Sequence, residues 1–214
     1  PKIHGGLLCL RDDKKHTDIA AEHEIGMIDL VVVNLYPFEE TCNTPGVSLA
    51  DKIEKIDIGG PSMLRSAAKN HRFVTVVTEP DDYAQIISEM DANAGETTMA
   101  FRQACARKVF RCTSRYDALI AEELLREAAN DDATLLDTEL LPSECAIPLR
   151  KVQDLRYGEN PHQSAAFYDI RLPGATCLST AKQRNGKELS YNNIMDLDAA
   201  WELVTEFTTP SCPV

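Results

Sequence analysis

The sequence lacks paired cysteines and clustered histidines. Its seven cysteines are odd in number and scattered, and no two of them form a Cys-x-x-Cys pair. That pattern excludes a disulfide framework and is typical of reduced thiols, so we expect a cytoplasmic protein. The five histidines do not fall at metal-ligand spacing, and we therefore predict no metal site.

Basic residues and long apolar runs are also scarce. Lysine and arginine number 22 against 34 aspartate and glutamate residues, which gives a formal net charge of −12 at pH 7. So acidic a surface repels polyphosphate backbones, and we expect no nucleic-acid partner. The apolar run at residues 30–33 is far shorter than the ~20 residues of a membrane-spanning helix, so we expect no membrane contact.

The remaining composition is that of an ordinary globular protein. Apolar residues make up 43% and charged residues 26%, which excludes a disordered or coiled-coil chain. The length of 214 residues allows one large domain or two small ones. The chain begins at Pro1 without Met or a targeting segment and stops shortly after a helix-like segment, so we expect a natural terminus at neither end.

Strands alternate with helices through the first 129 residues. β-Branched runs at residues 28–36 and 73–78 predict strands buried on both faces of a parallel sheet. Helices are predicted over residues 12–26, from 48, from just past Gly59-Gly60-Pro61 to about 70 with Pro61 in the first turn, from 80, and over 96–129 with a break near 114. The alternation predicts a doubly wound α/β layer.

The pattern changes after residue 129. Residues 130–148 are predicted to be a linker, followed by short strands at 165–170 and 175–182, a tight turn at Asn185 and Gly186, and a helix over 196–207. We place a domain boundary near residue 148, which gives domains at 1–148 and 149–214. The second is small for a core of its own, and we expect it to be the beginning of a larger domain.

The first candidate site lies at residues 57–70. Adjacent Gly59 and Gly60 let a ligand approach the backbone, and the helix after them presents amides that can hold an anion or a developing oxyanion. Arg65 and Lys69 are four residues apart and share a helix face. A lysine partly desolvated beside Asp57 can pass protons to and from a reacting amide. The alternative is a packed glycine turn with two solvated basic residues.

The second candidate site follows the first predicted strand. Asn34 and Tyr36 stand at its carboxyl end, where open α/β sheets bind ligands and where a base or an amide can be held. The alternative is a capped strand end at which Tyr36 and Phe38 pack as core. His4 can reach the same crevice, although a plain loop histidine is the simpler interpretation.

Two further candidate sites lie in the second domain. Arg156 offers a planar fork for phosphate or carboxylate, Tyr157 a stacking face, and His162 an imidazole of the kind used as a general acid or base. A solvated loop is the alternative for residues 156–163. Residues 185–193 join a turn to side chains that can hydrogen-bond an amide or a ribose, but Asn192 and Asn193 can equally cap the next helix.

Together these strings resemble the family of bifunctional purine biosynthesis proteins that join IMP cyclohydrolase to AICAR formyltransferase. The matching strings are residues 1–6, 33–38, 56–71, 155–163 and 189–196. They follow the family's order along the whole chain, which favours the functional interpretation of the first three candidate sites. The resemblance implies an enzyme that carries out the last two steps of IMP synthesis.

The resemblance implies a methylglyoxal-synthase-like α/β fold for the first domain, which closes the ring of the formylated nucleotide FAICAR to give IMP and water. Lys69 matches the residue regarded as proton donor and acceptor, with Asp57 and Tyr36 as its neighbours. The glycine amides suit the oxyanion role. The positions expected to touch substrate here are Val33, Asn34, Asp57, Ile58, Gly59 and Gly60.

For the second domain the resemblance implies a cytidine-deaminase-like fold that moves a formyl group from 10-formyltetrahydrofolate to AICAR. Arg156 and Tyr157 match its nucleotide-contacting pair, His162 a histidine of that site, and Asn193 an asparagine that helps hold the substrate. No metal is implied. The family is a homodimer whose formyltransferase sites draw residues from both subunits, so we expect a homodimer.

The family's Lys-Thr-Leu-His segment precedes the string at Pro1, and its Lys-His pair follows the string that ends at Val214. We therefore expect a partial sequence in which both active sites are incomplete. The alternative to an enzyme is a purine-nucleotide-binding fragment without turnover. A regulatory domain of the methylglyoxal-synthase type is disfavoured, because residues 149–214 match the formyltransferase strings.

Overall fold

The computed structural model describes residues 1–131, 146–170 and 177–212. The chain divides into two compact units, Pro1–Ser143 and Glu144–Val214, and each is described by itself. Most of the predicted linker at 130–148 lies outside the described residues. The assignment of one activity to residues 1–148 and another to 149–214 stays a prediction. Within the described residues, no helix is both long and apolar enough to cross a membrane.

The first unit is built on a parallel pair of strands, β1 (Leu30–Val32) and β2 (Thr75–Val77). Their parallel pairing confirms the predicted sheet. Burial on both faces holds for β2 but is wrong for β1, whose Leu30 and Val32 are 39% and 46% exposed. The helices within the described residues of this unit are α1 (Lys2–Leu8), α2 (Lys14–Glu22), α3 (Phe38–Cys42), α4 (Leu49–Glu54), α5 (Gly59–Lys69), α6 (Tyr83–Ala92) and α7 (Met99–Asp131).

The core of this unit lies where α5 and α7 cover the strands. Small residues on α5, Ala67 and Ala68, allow close packing against β2, and Val109 of α7 is fully buried in the same cluster. The predicted break in α7 near residue 114 is wrong. Thr113 is completely buried in an unbroken helix, so burial of this turn favours continuing the helix.

A charged network joins α4 to α7. The Lys52 ammonium donates to Glu123 at 2.7 Å and also to Glu127, and Arg126 binds Glu123 as well. Burial alone would raise the pKa of Glu123, but hydrogen bonds from Arg126 and Lys52 outweigh it and lower that pKa. The hydrogen bond to Glu123 is the largest cause of the raised Lys52 pKa. Both shifts favour the charged pair.

This network predicts how stability depends on pH. Because the pKa of Glu123 is lowered, this carboxylate adds to the free energy of unfolding above pH 4.5, and its contribution is lost as the pH falls through the lowered pKa. Because the pKa of Lys52 is raised, this ammonium group adds to the free energy of unfolding below pH 10.5, and its contribution is lost as the pH rises through the raised pKa. By urea denaturation, we expect the stability difference between wild type and Lys52→Met to be largest between these limits. A pH-independent difference would contradict this.

The second unit contains an antiparallel hairpin and one long helix. The strands are β3 (Leu149–Leu155), which the sequence analysis missed, and β4 (Ala165–Ile170), which it predicted. The prediction of a strand at 175–182 is wrong for the described residues of that range, because Leu178–Thr180 form a 3₁₀ turn. The helix α8 (Tyr191–Thr205) has no buried residue. Within its described residues this unit therefore has no apolar core of its own.

The helix α8 begins earlier than predicted because Ser190 caps it. The Ser190 hydroxyl accepts the Asn193 N–H, and the Asn193 Oδ1 accepts the Ser190 N–H at 3.1 Å. We expect Ser190→Ala to destabilise this unit by about 1 kcal/mol. The sole tryptophan, Trp201, lies in α8 and can report urea unfolding. Ser164→Ala, at an exposed loop position, is the control, and an unchanged midpoint for Ser190→Ala would refute the cap.

Candidate functional site

The carboxyl ends of β1 and β2 are joined through Asn34. Its side-chain amide donates to the Thr78 carbonyl at 3.0 Å, and its Oδ1 accepts the Tyr83 hydroxyl at 2.7 Å. Half-buried Val33 continues the pairing, because its N–H donates to the Val77 carbonyl at 3.0 Å. Asn34 is therefore held in a fixed orientation at an exposed sheet edge, as ligand binding there requires.

Tyr36 and Phe38 follow the same strand but differ in burial. Phe38 is 2% exposed and packs edge-to-face on Tyr116, with ring centroids 6.1 Å apart, whereas Tyr36 is 55% exposed. Core packing therefore accounts for Phe38 alone. The Tyr36 ring is free to stack on a planar ligand.

Asp57 ties this strand end to the start of α5. Its carboxylate accepts the Tyr36 N–H at 3.3 Å and the Gly60 N–H at 2.8 Å. A Cβ at residue 60 would lie 2.9 Å from the Asp57 carboxyl carbon, so glycine is needed for this close approach. The structure thus brings Asn34, Tyr36, Asp57 and Gly60 to one edge of the sheet.

The expected oxyanion role of both glycine amides needs a correction. The Gly60 amide already donates to Asp57, so it is not a free donor for a ligand. Gly59 is exposed, and Ile58 beside it is 77% exposed. Of the two glycine amides, that of Gly59 is therefore the one open to a ligand, and its oxyanion role and the substrate contact of Ile58 stay predictions.

Lys69 lies far from Asp57, and the expectation of a partly desolvated lysine beside that carboxylate is wrong. The 11-residue helix α5 separates them, which at 1.5 Å per residue corresponds to about 15 Å. Lys69 is exposed, and within the described residues its side chain has no hydrogen bond or ion pair. Its helix neighbour Arg65 lies over the Phe110 ring, 5.5 Å from the centroid.

His4 is also placed differently from the loop position expected. It lies on α1, where its ring nitrogens are 3.1 Å from the Ser66 Oγ and 3.5 Å from the Ser62 Oγ of α5. Helix α1 was not predicted from the sequence. His4 therefore joins two helices instead of reaching the strand ends.

Two tyrosines of the site were not singled out from the sequence. Tyr83 binds Asn34, and the position of its helix directly after β2 was a usable signal. Tyr116 binds the Asp57 N–H from the middle of α7. It is 59 residues from Asp57 in the chain, and no local pattern points to that contact.

In the second unit, the side chains of Arg156 and Tyr157 contact each other, and their role as a nucleotide-contacting pair stays a prediction. The Arg156 guanidinium donates to the Tyr157 hydroxyl at 3.2 Å and lies 4.9 Å from the ring centroid. The hydrogen bond from Arg156, followed by one with Ser190, lowers the pKa of Tyr157. Arg156 and Asn193 line one cavity of about 490 Å³, so the structure brings these two predicted residues together.

Asn193 has a structural role as well as a place in this cavity. Its Oδ1 accepts both the N–H and the hydroxyl of Ser190, at 3.1 and 2.9 Å, so the capping alternative is correct. Within the described residues its side-chain NH₂ has no partner. That donor remains for a ligand.

His162 is exposed on a loop that closes on itself. The Gly158 N–H donates to the Gln163 carbonyl at 2.9 Å, and the Asn160 N–H donates to the Gln163 side chain at 2.8 Å. Within the part of the chain that the structure describes, no hydrogen bond joins His162 to Arg156 or Asn193. The same part contains no group of three or more His, Cys, Asp or Glu side chains placed to hold a metal ion.

Comparisons with known proteins match both units. Residues 67–214 match the family model described as AICARFT/IMPCHase bienzyme, and residues 5–62 match the model of the MGS-like domain. A crystal structure described as that of ForH matches with a TM-score of 0.51 and 37% sequence identity, over 57% of this chain and 63% of that chain.

Two curated relatives carry the name bifunctional purine biosynthesis protein PurH. The protein from Listeria welshimeri serovar 6b is 52% identical over 210 residues, which cover 98% of this chain and 39% of that protein. The protein from Streptococcus suis is 53% identical over 207 residues, which cover 97% of this chain and 38% of that protein. The chain thus spans less than half the length of these relatives.

Proposed function

The chain belongs to the AICARFT/IMPCHase bienzyme family, and from this premise we propose that the full-length protein makes IMP in the last two steps of purine biosynthesis. One step transfers a formyl group from 10-formyltetrahydrofolate to AICAR, and the other closes the ring of FAICAR with loss of water. Residues 1–148 belong to the cyclohydrolase and residues 149–214 to the formyltransferase in this proposal. The name of the two relatives, bifunctional purine biosynthesis protein PurH, supports the role in purine biosynthesis.

The observation that carries the proposal is the position of the Asp57 carboxylate. It stands between the Tyr36 and Gly60 amides at the carboxyl end of β1, near fixed Asn34. This edge offers a carboxylate, an exposed aromatic face and the Gly59 amide to a purine precursor. In parallel α/β sheets such an edge is where ligands bind.

Ring closure requires the carboxamide nitrogen of FAICAR to attack its formyl carbon. A C–N bond forms, and the proton that the carboxamide nitrogen loses passes to the formyl oxygen, which becomes a hydroxyl. This hydroxyl leaves as water with a second proton, lost from the formamide nitrogen as the C=N bond of the new ring forms. Asp57 orients the carboxamide through its N–H groups, and Tyr36 stacks on the imidazole. Positioning in a preorganised polar site then supplies most of the acceleration.

Lys69 is the proposed proton donor and acceptor of this closure, and here the proposal rests on the resemblance alone. The structure places it about 15 Å from the Asp57 end of α5. Proton transfer by Lys69 therefore requires that the substrate bound to the full-length protein also lies within reach of the Lys69 ammonium. Because of this separation, the role of Lys69 is the part of the proposal that an experiment can contradict most directly.

The second activity is proposed for the Arg156–Asn193 cavity. Arg156 binds an anionic group of AICAR, Tyr157 stacks on its ring, the Asn193 NH₂ donates to its amide, and His162 serves as a histidine of the site. A cytidine-deaminase-like fold for this domain, a homodimer with shared formyltransferase sites and a cytoplasmic location belong to the same proposal. It requires 10-formyltetrahydrofolate as co-substrate and no metal.

A second candidate is a purine-nucleotide-binding fragment without turnover. The separation of Lys69 from Asp57 favours this candidate for the 214-residue chain, because the groups that can bind a nucleotide lie together around Asp57 whereas the proposed proton donor does not. Calorimetry with IMP and AICAR tests it, and no heat of binding to the isolated chain would exclude it. The enzyme is tested by steady-state conversion of AICAR through FAICAR to IMP by the full-length protein, for which absence of IMP would be decisive.

A further inference from the structure

Tyr116 is buried in the middle of α7, 7% exposed, with its hydroxyl directed at the segment before α5. The hydroxyl accepts the backbone N–H of Asp57 at 2.9 Å and donates to the Lys55 carbonyl at 3.2 Å. The edge-to-face contact with Phe38 holds the ring in place. One side chain thus connects α7 to the residues that flank the proposed site.

These contacts fix Asp57 from three directions. Its N–H is held by Tyr116, and its carboxylate oxygens are held by the Gly60 and Tyr36 amides. A backbone N–H without a partner at this half-buried place is unfavourable. Loss of the hydroxyl would therefore release the Asp57 backbone while leaving the carboxylate contacts to reorganise.

The hydroxyl keeps its proton under ordinary conditions. Burial is the largest cause that raises the Tyr116 pKa, and the nearby Asp57 carboxylate raises it further, against the opposing hydrogen bond with the Asp57 backbone. A protonated phenol both donates and accepts. It can therefore satisfy the Lys55 carbonyl and the Asp57 N–H at the same time.

We propose that Tyr116 is a positioning residue for ring closure, acting through Asp57 without touching the substrate. The proposal rests on the cyclohydrolase function proposed above and extends it to a residue 59 positions away in the chain. Small displacements of a reacting group cost large factors in rate when catalysis depends on positioning. The hydroxyl of Tyr116 sets the place of the carboxylate that orients the carboxamide.

Tyr116→Phe keeps the ring and its Phe38 contact and removes only the hydroxyl. In the full-length protein we expect kcat for FAICAR cyclisation to fall about tenfold, with AICAR formylation by the same protein unchanged. Thr113→Val is the matched control, because it removes another buried hydroxyl of α7, one bonded to the Phe110 carbonyl. It is expected to leave both rates at the wild-type level.

A double-mutant cycle separates positioning from a general loss of structure. In an Asp57→Asn background, Tyr116→Phe is expected to cause no further loss of cyclisation, because its effect is transmitted by Asp57. A tenfold loss added to that of Asp57→Asn, or an equal loss of both activities, would overturn the proposal.

Hydrogen exchange distinguishes failure of this inference from failure of the proposed function. If wild type forms no IMP, the cyclohydrolase function fails, but exchange of the Asp57 amide still reports the contact. We expect faster exchange in the Tyr116→Phe full-length protein and wild-type exchange in Thr113→Val. Unchanged exchange at Asp57 in Tyr116→Phe would overturn the positioning role even in an active enzyme.

Discussion

Asp57→Asn is expected to lower kcat/KM for FAICAR cyclisation by about 10³-fold, measured as IMP formation at steady state. Asparagine keeps the size of the side chain but loses its charge and one acceptor. Its NH₂ group would then face an amide hydrogen of Tyr36 or Gly60, where the carboxylate now accepts both. The site loses the group that orients the carboxamide and the geometry that surrounds it.

Two controls belong with this variant. Glu54→Gln removes an exposed carboxylate from α4, three residues before Asp57, and is expected to leave cyclisation unchanged. AICAR formylation by Asp57→Asn is expected to stay at the wild-type level, which shows that the protein is folded. Wild-type cyclisation by Asp57→Asn would remove this carboxylate from the mechanism.

Lys69→Ala is expected to lower kcat for cyclisation by about 10³-fold, within the usual contribution of a general acid or base. The reason is chemical: ring closure moves two protons from nitrogen to the departing water. Steady-state IMP formation by the full-length protein measures this effect.

The position of Lys69 in the structure supports the opposite result, in which its removal leaves the rate unchanged. Lys69 is exposed and lies at the other end of α5 from Asp57, which is the pattern of a solvated surface lysine. Lys15→Ala, which removes an exposed lysine of α2, is the control. If Lys69→Ala and Lys15→Ala both turn over like wild type, proton transfer belongs to the Asp57 edge alone.

The sequence patterns that predicted the fold correctly are those in which local chemistry and packing agree. The run at residues 73–78 is apolar and β-branched, and β2 is fully buried. Helix α5 was predicted with nearly its observed bounds, since proline in its first turn and small apolar residues suit both helix and core. The strand-end rule then led to Asn34 and Tyr36.

The failures have physical causes in long-range packing. His4 was interpreted as a loop residue, yet it lies in helix α1, whose Gly6 packs directly against the Gly26 carbonyl, where a Cβ would not fit. Lys69 and Asp57 were grouped because they are near in sequence, although the predicted helix itself separates them by about 15 Å. The contact of Tyr116 with Asp57 depends on how α7 crosses the sheet, which no local pattern encodes.

In the proposed enzyme the carboxyl edge of β1, organised by Asp57, holds the purine ring. A crystal structure of the full-length protein with IMP would locate that ring. We expect it to lie against the Tyr36 side chain and within about 3.2 Å of a hydrogen-bonding atom of Asp57 or Gly59. IMP bound elsewhere in the first domain, with Asp57 touching only its present partners, would contradict it.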